Sequence, residues 1–541
     1  MGLHESTASI PEHSLLDDLI KAKKRCLITE HEYIPPDAIR VYITPERVKK
    51  ELPNTWGRWL LPCWDWNLED TVQQASKVIA ILVLLDRLDC IDTLLADGLC
   101  DNDLPLSKKG DVIYSACNDK GPIWAFKRCQ GINFPNRFLR NQWMVWVPQV
   151  GVNPDQTIKL PISGPHGLPF DCTEADATKY SIVYKAELWP SHQVEHNDDR
   201  EVKSPAMKVR PACFAIKQFK DGKTGQKKPF EDELRNLIKF TNSNNDHLIK
   251  VSATVEKAYC IFFPWAQGGN LHDFWEKHGP LNLPRSTDVF LWALEQLTGL
   301  SHALEAIHTQ NCRHGDLKPS NILHFMEGPS LGTLKIADFG VSRIHKNATG
   351  LRHEATDTKA STKIYEAPEA IERIRSLAPR SRKYDCWSMG CVMLECVIWL
   401  LYDFKAVASC QIARGGYQTY YQELDDANRT RNDIEDRVQV HPVVLHTIQA
   451  LSHHPRFPHS PLQTIIRIVE RKLLKVKPEE RVSAELLHGK LVAISADARR
   501  DSSSFERPVP PTLDVPDIFC YEASSEQRPK PTYEVTRGSS G

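Results

Sequence analysis

Apolar and polar positions alternate along this chain in two distinct rhythms. From Val72 to Leu95 the residues Val72, Ala75, Val78, Ile79, Leu82, Leu85, Leu88, Ile91 and Leu95 fall at helical spacing, which predicts helix with one buried face. A second stripe, Phe290, Leu294, Leu297, Leu300, Leu304 and Ile307, marks a longer helix. A third, Phe230, Leu234, Leu237 and Ile238, carries Glu233 at its edge. Tyr259 to Phe263 is a short unbroken apolar run and reads as a buried strand, and Leu334-Lys335-Ile336 is strand-like too. Two longer runs invite a membrane reading. Val78 to Leu85 is eight residues long and ends at Asp86, and Met389 to Leu401 is interrupted by Glu395. Both fall short of the ~20 apolar residues a spanning helix needs, so both are expected to be core helices and no transmembrane segment is expected.

The same pattern suggests an order of domains. Residues 1–150 hold seven of the thirteen tryptophans, so this part is expected to be a folded, mainly helical accessory domain. It shows no cofactor or nucleophile pattern and is a candidate site for a protein partner. Residues 151–168, with three prolines and three glycines, read as a linker. Short strand-like runs followed by longer helical patterns fill 169–495. Beyond 496, Ser502-Ser503-Ser504, repeated prolines and a Gly-Ser-Ser-Gly end predict a disordered tail.

Composition narrows the class of function. At 541 residues the chain is long enough for two to four units, and 41% hydrophobic with 25% charged residues is ordinary for a globular protein. A net charge of −1 gives no field that would draw nucleic acid, so none is expected as a partner. The 15 cysteines form no CxxC pair or framework and no secretory signal opens the chain. They are expected to be reduced thiols of a cytoplasmic protein.

Chemistry concentrates in His314-Gly315-Asp316-Leu317-Lys318-Pro319-Ser320-Asn321, directly after the second helical stripe. Phosphoryl transfer to a hydroxyl needs a carboxylate to orient the nucleophile and accept its proton. It also needs a metal ligand close by and a cation near the developing charge. Asp316, Asn321 and Lys318 supply these three parts in one loop. Seventeen residues after Asn321 stands Asp338-Phe339-Gly340 at the end of the strand-like Leu334-Lys335-Ile336. A carboxylate there is suited to holding Mg²⁺ across phosphate oxygens.

In this order and at this distance the two motifs resemble the catalytic loop and metal motif of eukaryotic-type protein kinases. The resemblance extends over about 325 residues. It implies an α+β, bilobal fold, with a small β-rich lobe and a large helical one, behind the helical N-terminal domain. Ala215-Ile216-Lys217 resembles the strand whose lysine meets the ATP phosphates, and Glu233 stands where the family places that lysine's partner. Pro264-Trp265-Ala266-Gln267-Gly268-Gly269 resembles the adenine-binding hinge, which makes Phe263 the gatekeeper and Ala266 the main hinge contact. Val183, Ala215 and Leu323 complete the implied ATP site, with Asn321 and Asp338 as the Mg²⁺ ligands. Ala367-Pro368-Glu369 and Asp385-Cys386-Trp387-Ser388-Met389-Gly390 resemble the end of the activation segment and the start of the central helix. Arg481 stands where the family places the buried partner of Glu369. Lys318 and Thr362 are the serine/threonine markers. In this form the chain resembles kinase proteins of filamentous fungi, and a protein serine or threonine is the implied substrate.

Three departures qualify the resemblance. The family's three loop glycines fall on Asp176, Thr178 and Ser181. Their absence predicts poorer phosphate contacts and leaves a second reading, a pseudokinase scaffold that binds partners without turnover. Gly315 replaces the arginine that receives an activation-loop phosphate, so activation is expected not to hinge on Thr356, Thr358 or Ser361. Insertions between Val183 and Lys217 and at 402–460 are expected to be surface elaborations. Met1-Gly2-Leu3-His4-Glu5-Ser6 fits the N-myristoylation pattern, and membrane contact is expected only if Gly2 is lipidated.

Overall fold

A computed structural model describes residues 14–52, 68–147, 150–194, 212–344, 363–372, 381–424 and 437–520, short gaps within these stretches aside. Gly2, Gly340, Thr356, Thr358, Ser361, Thr362 and the final residues from 521 onward lie outside them. Contacts divide the chain into two compact units. One comprises Met1–Lys227 with Ser252–Pro264, the other Lys228–Val251 with Trp265–Gly541.

The first unit opens with helices α1 (Leu15–Lys21), α2 (Pro36–Tyr42) and α3 (Pro45–Glu51). The Ser14 hydroxyl caps α1 by accepting from the Asp17 N–H, and Thr44 caps α3 by accepting from Arg47, with Pro45 in the first turn. Between α1 and α2 lies the short antiparallel pair β1 (Lys24–Arg25) and β2 (Glu32–Tyr33). The predicted Val72–Leu95 stripe is helical but broken. It forms α4 (Leu68–Leu84) and α5 (Ile91–Ala96), separated at Asp86, whose left-handed φ of 53° ends the first helix. Ala75 kinks α4, and the Asp101 carboxylate takes up the Lys77 and Val78 N–H groups at 3.0 Å beside the kink. The hairpin β3 (Leu106–Lys109) and β4 (Val112–Ser115) follows, then α6 (Ala125–Arg128) and α7 (Phe134–Asn141). Leu15, Ile39, Val48, Val78, Leu94 and Phe138 belong to one buried core that these elements share.

The same unit contains a short parallel pair, β5 (Val150–Gly151) with β9 (Gln193–Val194), and a six-stranded sheet. The sheet's strands are β6 (Ile158–Lys159), β7 (Phe170–Ala177), β8 (Ser181–Leu188), β10 (Cys213–Phe219), β11 (Ala253–Val255) and β12 (Cys260–Pro264), in the order β6-β11-β12-β10-β8-β7. All neighbours are antiparallel except β6 and β11. Alternation along the strands sorts residues onto two faces. Tyr184, Ala186, Phe214, Ile216 and Phe262 point to one face, where they form a core with Phe170 and Leu168. Cys26, Ile28 and Tyr33 from the N-terminal segment belong to that same core, as does Val147. The Gln218 side chain joins the two parts, donating to the Ile28 carbonyl at 3.0 Å and accepting from the Tyr184 hydroxyl at 3.3 Å. The N-terminal residues therefore cover the back of the sheet and share its interior. The stretch read as a linker also departs from expectation, because its Ile158–Lys159 is itself a strand of the sheet.

The second unit is mainly helical. It holds α8 (Lys227–Thr241, apart from its first residue), α9 (Leu271–Lys277) and α10 (Thr287–Thr309). Two short antiparallel pairs follow, Cys312–Arg313 with Arg343–Ile344 and Ile322–Phe325 with Thr333–Ile336. Helix Lys383–Leu401 is long and apolar enough to cross a membrane by composition, but every residue from Tyr384 to Leu401 is buried inside the unit.

Two expectations are corrected here. Residues around 402–460 are not merely a surface addition: Tyr420 is fully buried and its hydroxyl donates to Glu395 at 2.6 Å. The tail does not begin at 496, because helix Ala484–Arg500 runs through that point along α10. Beyond it, Phe505 stacks on Phe290 with ring centroids 4.7 Å apart, and Phe519 lies 4.4 Å from Tyr402. Serine and proline made this stretch look unstructured, while its three spaced apolar anchors (Phe505, Ile518, Phe519) bury enough surface to hold it.

Candidate active site

In the first unit, the candidate nucleotide residues sit on the face of the sheet opposite the covered one. Lys217 is the direct cross-strand partner of Val183 on β8, and Ala215, two residues back, pairs with Phe263 on β12. The sheet thus gathers Val183, Ala215 and Lys217 on neighbouring strands, while Ile216 and Gln218 between and beyond them face the other way. The Lys217 ammonium lies 5.5 Å from the Phe219 ring centroid.

The glycine-poor turn joins β7 to β8. Glu174 and Asp176 flank a bulge, after which Asp176 pairs with Val183. The Asp176 carboxylate accepts from the Ala177 N–H at 2.8 Å. Thr178 and Ser181 close the tip on each other: the Thr178 N–H donates to the Ser181 carbonyl, and the Ser181 N–H donates to the Thr178 hydroxyl oxygen. Lys220 donates to the Thr178 carbonyl at 2.8 Å. Phosphate binding by such a turn depends on outward-facing N–H groups. Here the amides of residues 177, 178 and 181 are engaged by the turn's own oxygens.

The second unit builds the candidate catalytic loop. Asp316 is mostly buried, and its carboxylate accepts from the Lys318 ammonium at 2.8 Å and from the Asn321 amide at 3.1 Å. That amide also donates to the Asp316 carbonyl at 2.7 Å, so both ends of Asp316 are held by Asn321. Burial pushes the Asp316 carboxyl above its ordinary range. Lys318 opposes that shift, and the nearby Asp338 charge adds to it.

Asp385 fixes the backbone of this loop. It stands in the first turn of a largely apolar helix and is wholly buried, and it accepts from the N–H groups of His314 and Gly315 at 2.8 and 2.9 Å. The His308 ring approaches it at 2.9 Å. Burial alone would raise this carboxyl; the His308 contact and nearby positive groups outweigh it and hold Asp385 below its ordinary range. Gly315 adopts φ of 85°, a conformation in which a side chain costs roughly 1–2 kcal/mol. Its role in the turn was not visible in the sequence, nor was that of Asp385 as acceptor. The available signal was a carboxylate in a largely apolar helix, which must find partners once buried.

The candidate metal motif is fastened to the same loop. The His314 ring contacts the Ala337 carbonyl at 2.9 Å, and the Ala337 N–H donates to the Asn321 carbonyl. Phe339 is buried, 5.1 Å from Phe240 of α8 and 5.2 Å from the His314 ring. Asp338 is exposed with φ of 62°, held left-handed between these anchors. Glu233 is buried within α8. The segment after Ala266 runs beside Leu323, because Gly268 donates to the His324 carbonyl and His324 donates to Gly269. A side chain at Gly268 would collide with the His324 ring, its Cβ 1.8 Å from Nδ1. Arg481, fully buried, grips Glu369 through two hydrogen bonds of 2.8 Å.

The protein kinase domain family matches residues 201–490, more than half of the chain. The chain belongs to the protein kinase family. That family's fold is bilobal, and the sheet-rich and helical parts described above are its two kinds of structure. The matched stretch begins beyond the β7–β8 turn. Relatives include serine/threonine-protein kinase RAD53 of Saccharomyces cerevisiae, 27% identical over 278 residues, covering 48% of this chain and 32% of that protein. Serine/threonine-protein kinase 17A of Oryctolagus cuniculus is 34% identical over 169 residues, 30% of this chain and 40% of that protein. Serine/threonine-protein kinase H1 of Mus musculus is 25% identical over 270 residues, 48% of this chain and 60% of that protein. The chain therefore spans between 32% and 60% of the length of these relatives.

Proposed function

We propose that this protein is an active serine/threonine protein kinase that transfers the γ-phosphoryl group of ATP to a hydroxyl of a protein substrate. The observation that carries this reading is the Asp316 carboxylate, desolvated yet clamped by Lys318 and Asn321. One Asp316 oxygen orients the acceptor hydroxyl and takes its proton as the new O–P bond forms and the bond to ADP breaks. Lys318, bound to Asp316, stands ready to offset charge on the transferring group. The Asn321 amide nitrogen is consumed by Asp316, which leaves its oxygen as the atom to offer a cation. With the exposed Asp338 carboxylate, that makes an all-oxygen donor set of the kind Mg²⁺ takes, and the two residues would hold it. When bound, Mg²⁺ would supply neutralisation of phosphate charge. The family pattern assigns Lys217 to the α- and β-phosphates, Val183, Ala215, Leu323 and the Ala266 backbone to the adenine, and Glu233 to the lysine as its partner.

A scaffold reading rests on one specific observation, the self-satisfied β7–β8 turn, which removes three amides from phosphate binding. Incubating the purified full chain with radiolabelled ATP, Mg²⁺ and a generic protein acceptor separates the two. Phosphoserine or phosphothreonine is the expected product. Asp316→Asn should lower turnover by about 10²–10⁴-fold while nucleotide binding persists. No incorporation by the wild-type protein, with no nucleotide bound at millimolar ATP, would leave the scaffold reading standing.

A further inference from the structure

Glu395 lies in the helix Lys383–Leu401 and is only 2% exposed. Three side chains converge on its carboxylate. The Tyr365 hydroxyl donates to Oε2 at 2.9 Å, while the Tyr420 hydroxyl and the Gln411 amide donate to Oε1 at 2.6 and 3.1 Å. The Arg414 guanidinium stands 4.0 Å from the centre of the Tyr420 ring. Tyr420 is thus held between that cation and the carboxylate, and Tyr365, Tyr420 and Arg414 are all buried. Gln411, Arg414 and Tyr420 come from the 402–460 stretch that read as an insertion. Gln411 sits on the helix Phe404–Ala413 and Arg414 directly follows it. The turn Asp517–Phe519 packs on the same helix.

Tyr365 is the residue this arrangement fixes. Its carbonyl accepts from the Ser388 hydroxyl at 2.8 Å, so both its ends are tied to the helix Lys383–Leu401. Ser388 stands three positions after Asp385, and residues so spaced are neighbours on a helix surface. Asp385 in turn holds the amides of His314 and Gly315, directly before Asp316. One turn of helix therefore anchors both the loop of Asp316 and the backbone of Tyr365. A buried carboxylate is seldom better for stability than apolar side chains of the same size. What a saturated network adds is one defined position for the group it holds.

We propose that Gln411, Arg414 and Tyr420 are positioning residues: acting through Glu395, they fix Tyr365 and so set residues 364–369 to receive the protein acceptor near Asp316. This role rests on the kinase reading above. Gln411 and Tyr420 occupy Oε1, which leaves Oε2 to Tyr365, and Arg414 offsets the buried charge. Without the Tyr420 hydroxyl the carboxylate is free to turn, and the Tyr365 hydroxyl loses its fixed acceptor. Residues 364–369 then sample several positions, and the acceptor hydroxyl is presented to Asp316 in fewer productive encounters. The nucleotide residues Lys217, Val183 and Ala215 lie on the sheet and take no part in this network.

The test follows the full chain by hydrogen exchange and by kinetics with dephosphorylated casein as acceptor. Tyr420→Phe keeps the ring and removes only the hydroxyl. Amides within 364–369 should then exchange about tenfold faster, the effect of one lost buried hydrogen bond. Peptides from α10 should exchange as before, which shows that the unit remains folded. The KM for casein should rise by about the same factor while the KM for ATP stays unchanged, a split that general loss of stability would not produce. Tyr365→Phe cuts the same link from the other side, so the double variant should be little worse than either single one. Gln411→Ala, at a half-buried position, should move both readouts in the same direction if Tyr420→Phe does not fold. Unchanged exchange at 364–369 overturns the proposal. An active wild type whose variants keep its KM for casein overturns the positioning role alone, whereas a wild type that transfers no phosphate overturns the kinase reading itself.

Discussion

At Asp316, opposing influences set the charge of one carboxyl. Burial raises its pKa and the Lys318 ammonium lowers it, with burial prevailing. A base must be unprotonated, so activity is lost as pH falls through the raised folded value. The acid limb of kcat/KM should therefore lie above the ordinary carboxylate range. Lys318→Met removes the opposing cation and should move that limb to higher pH, besides lowering the rate. An unmoved limb in the residual activity would remove Asp316 from the role of base. The sign for stability is the reverse of a salt-bridged acid. Because the folded carboxyl holds its proton more tightly, this group's contribution to stability declines as pH rises through the window between its unfolded and folded values.

The β7–β8 turn poses a different residue-scale question. Asp176, Thr178 and Ser181 supply the oxygens that engage the turn's own amides. Glycine at all three positions would free those amides and remove the Asp176 charge. The expected gain in ATP affinity is about fivefold, or ~1 kcal/mol, less than a full charged hydrogen bond because flexible glycines must be ordered. Calorimetric titration of ATP with Mg²⁺ checks this, and an unchanged Kd would mean the turn does not face the phosphates.

At the scale of elements, the candidate catalytic loop is held from beneath by the buried helix Lys383–Leu401. Asp385 satisfies two loop amides at once, and its folded pKa is depressed. Its stabilisation is present above the unfolded pKa and is lost as pH falls through the folded one. Replacing it with alanine leaves buried donors unpaired and should cost about 3–5 kcal/mol, read as a lower denaturant midpoint with unchanged m-value. Much of this scale was legible in the sequence. The Phe290–Ile307 and Phe230–Ile238 stripes became α10 and α8, and Tyr259–Phe263 lies largely in β12, because long periodic runs have few other ways to bury their apolar side. The loop from His314 to Asn321 was legible as chemistry, since residue types and spacing express it directly. Less legible were features set by tertiary partners. Asp86 divides the Val72–Leu95 stripe through a backbone angle, and Phe505, Ile518 and Phe519 are anchored by pockets far away in sequence. Gly315 read as a missing arginine, whereas its left-handed backbone is also a demand of the turn.

For the whole molecule, the division into two units redraws the boundaries that composition suggested. Residues from 501 to 520 belong to the helical unit, and Phe505→Ala should destabilise it by about 3–5 kcal/mol, measurable by thermal melting. A protein ending at Arg500 should melt lower still. At the other end, residues 1–150 contain a core of their own but also lend Cys26, Ile28, Tyr33 and Val147 to the sheet. Expressed alone, that segment should fold with a cooperative melt yet expose an apolar patch. A protein beginning at residue 151 should bare Tyr184, Phe214 and Phe262 and aggregate. A soluble, fully active product from residue 151 onward would show that the cover is dispensable.

That cover has a consequence for competition. The back of the sheet already has an occupant, tethered through the same chain and attached by Gln218 to the strand bearing Lys217. A tethered segment rebinds as though present at roughly millimolar concentration. An outside protein seeking this face must outbid a resident that never diffuses away, so even a micromolar binder would displace it only when abundant. Displacement would be felt one residue from the lysine assigned to ATP. Any regulator working through this face therefore acts by eviction, and its potency is set by how weakly Ile28 and Tyr33 hold.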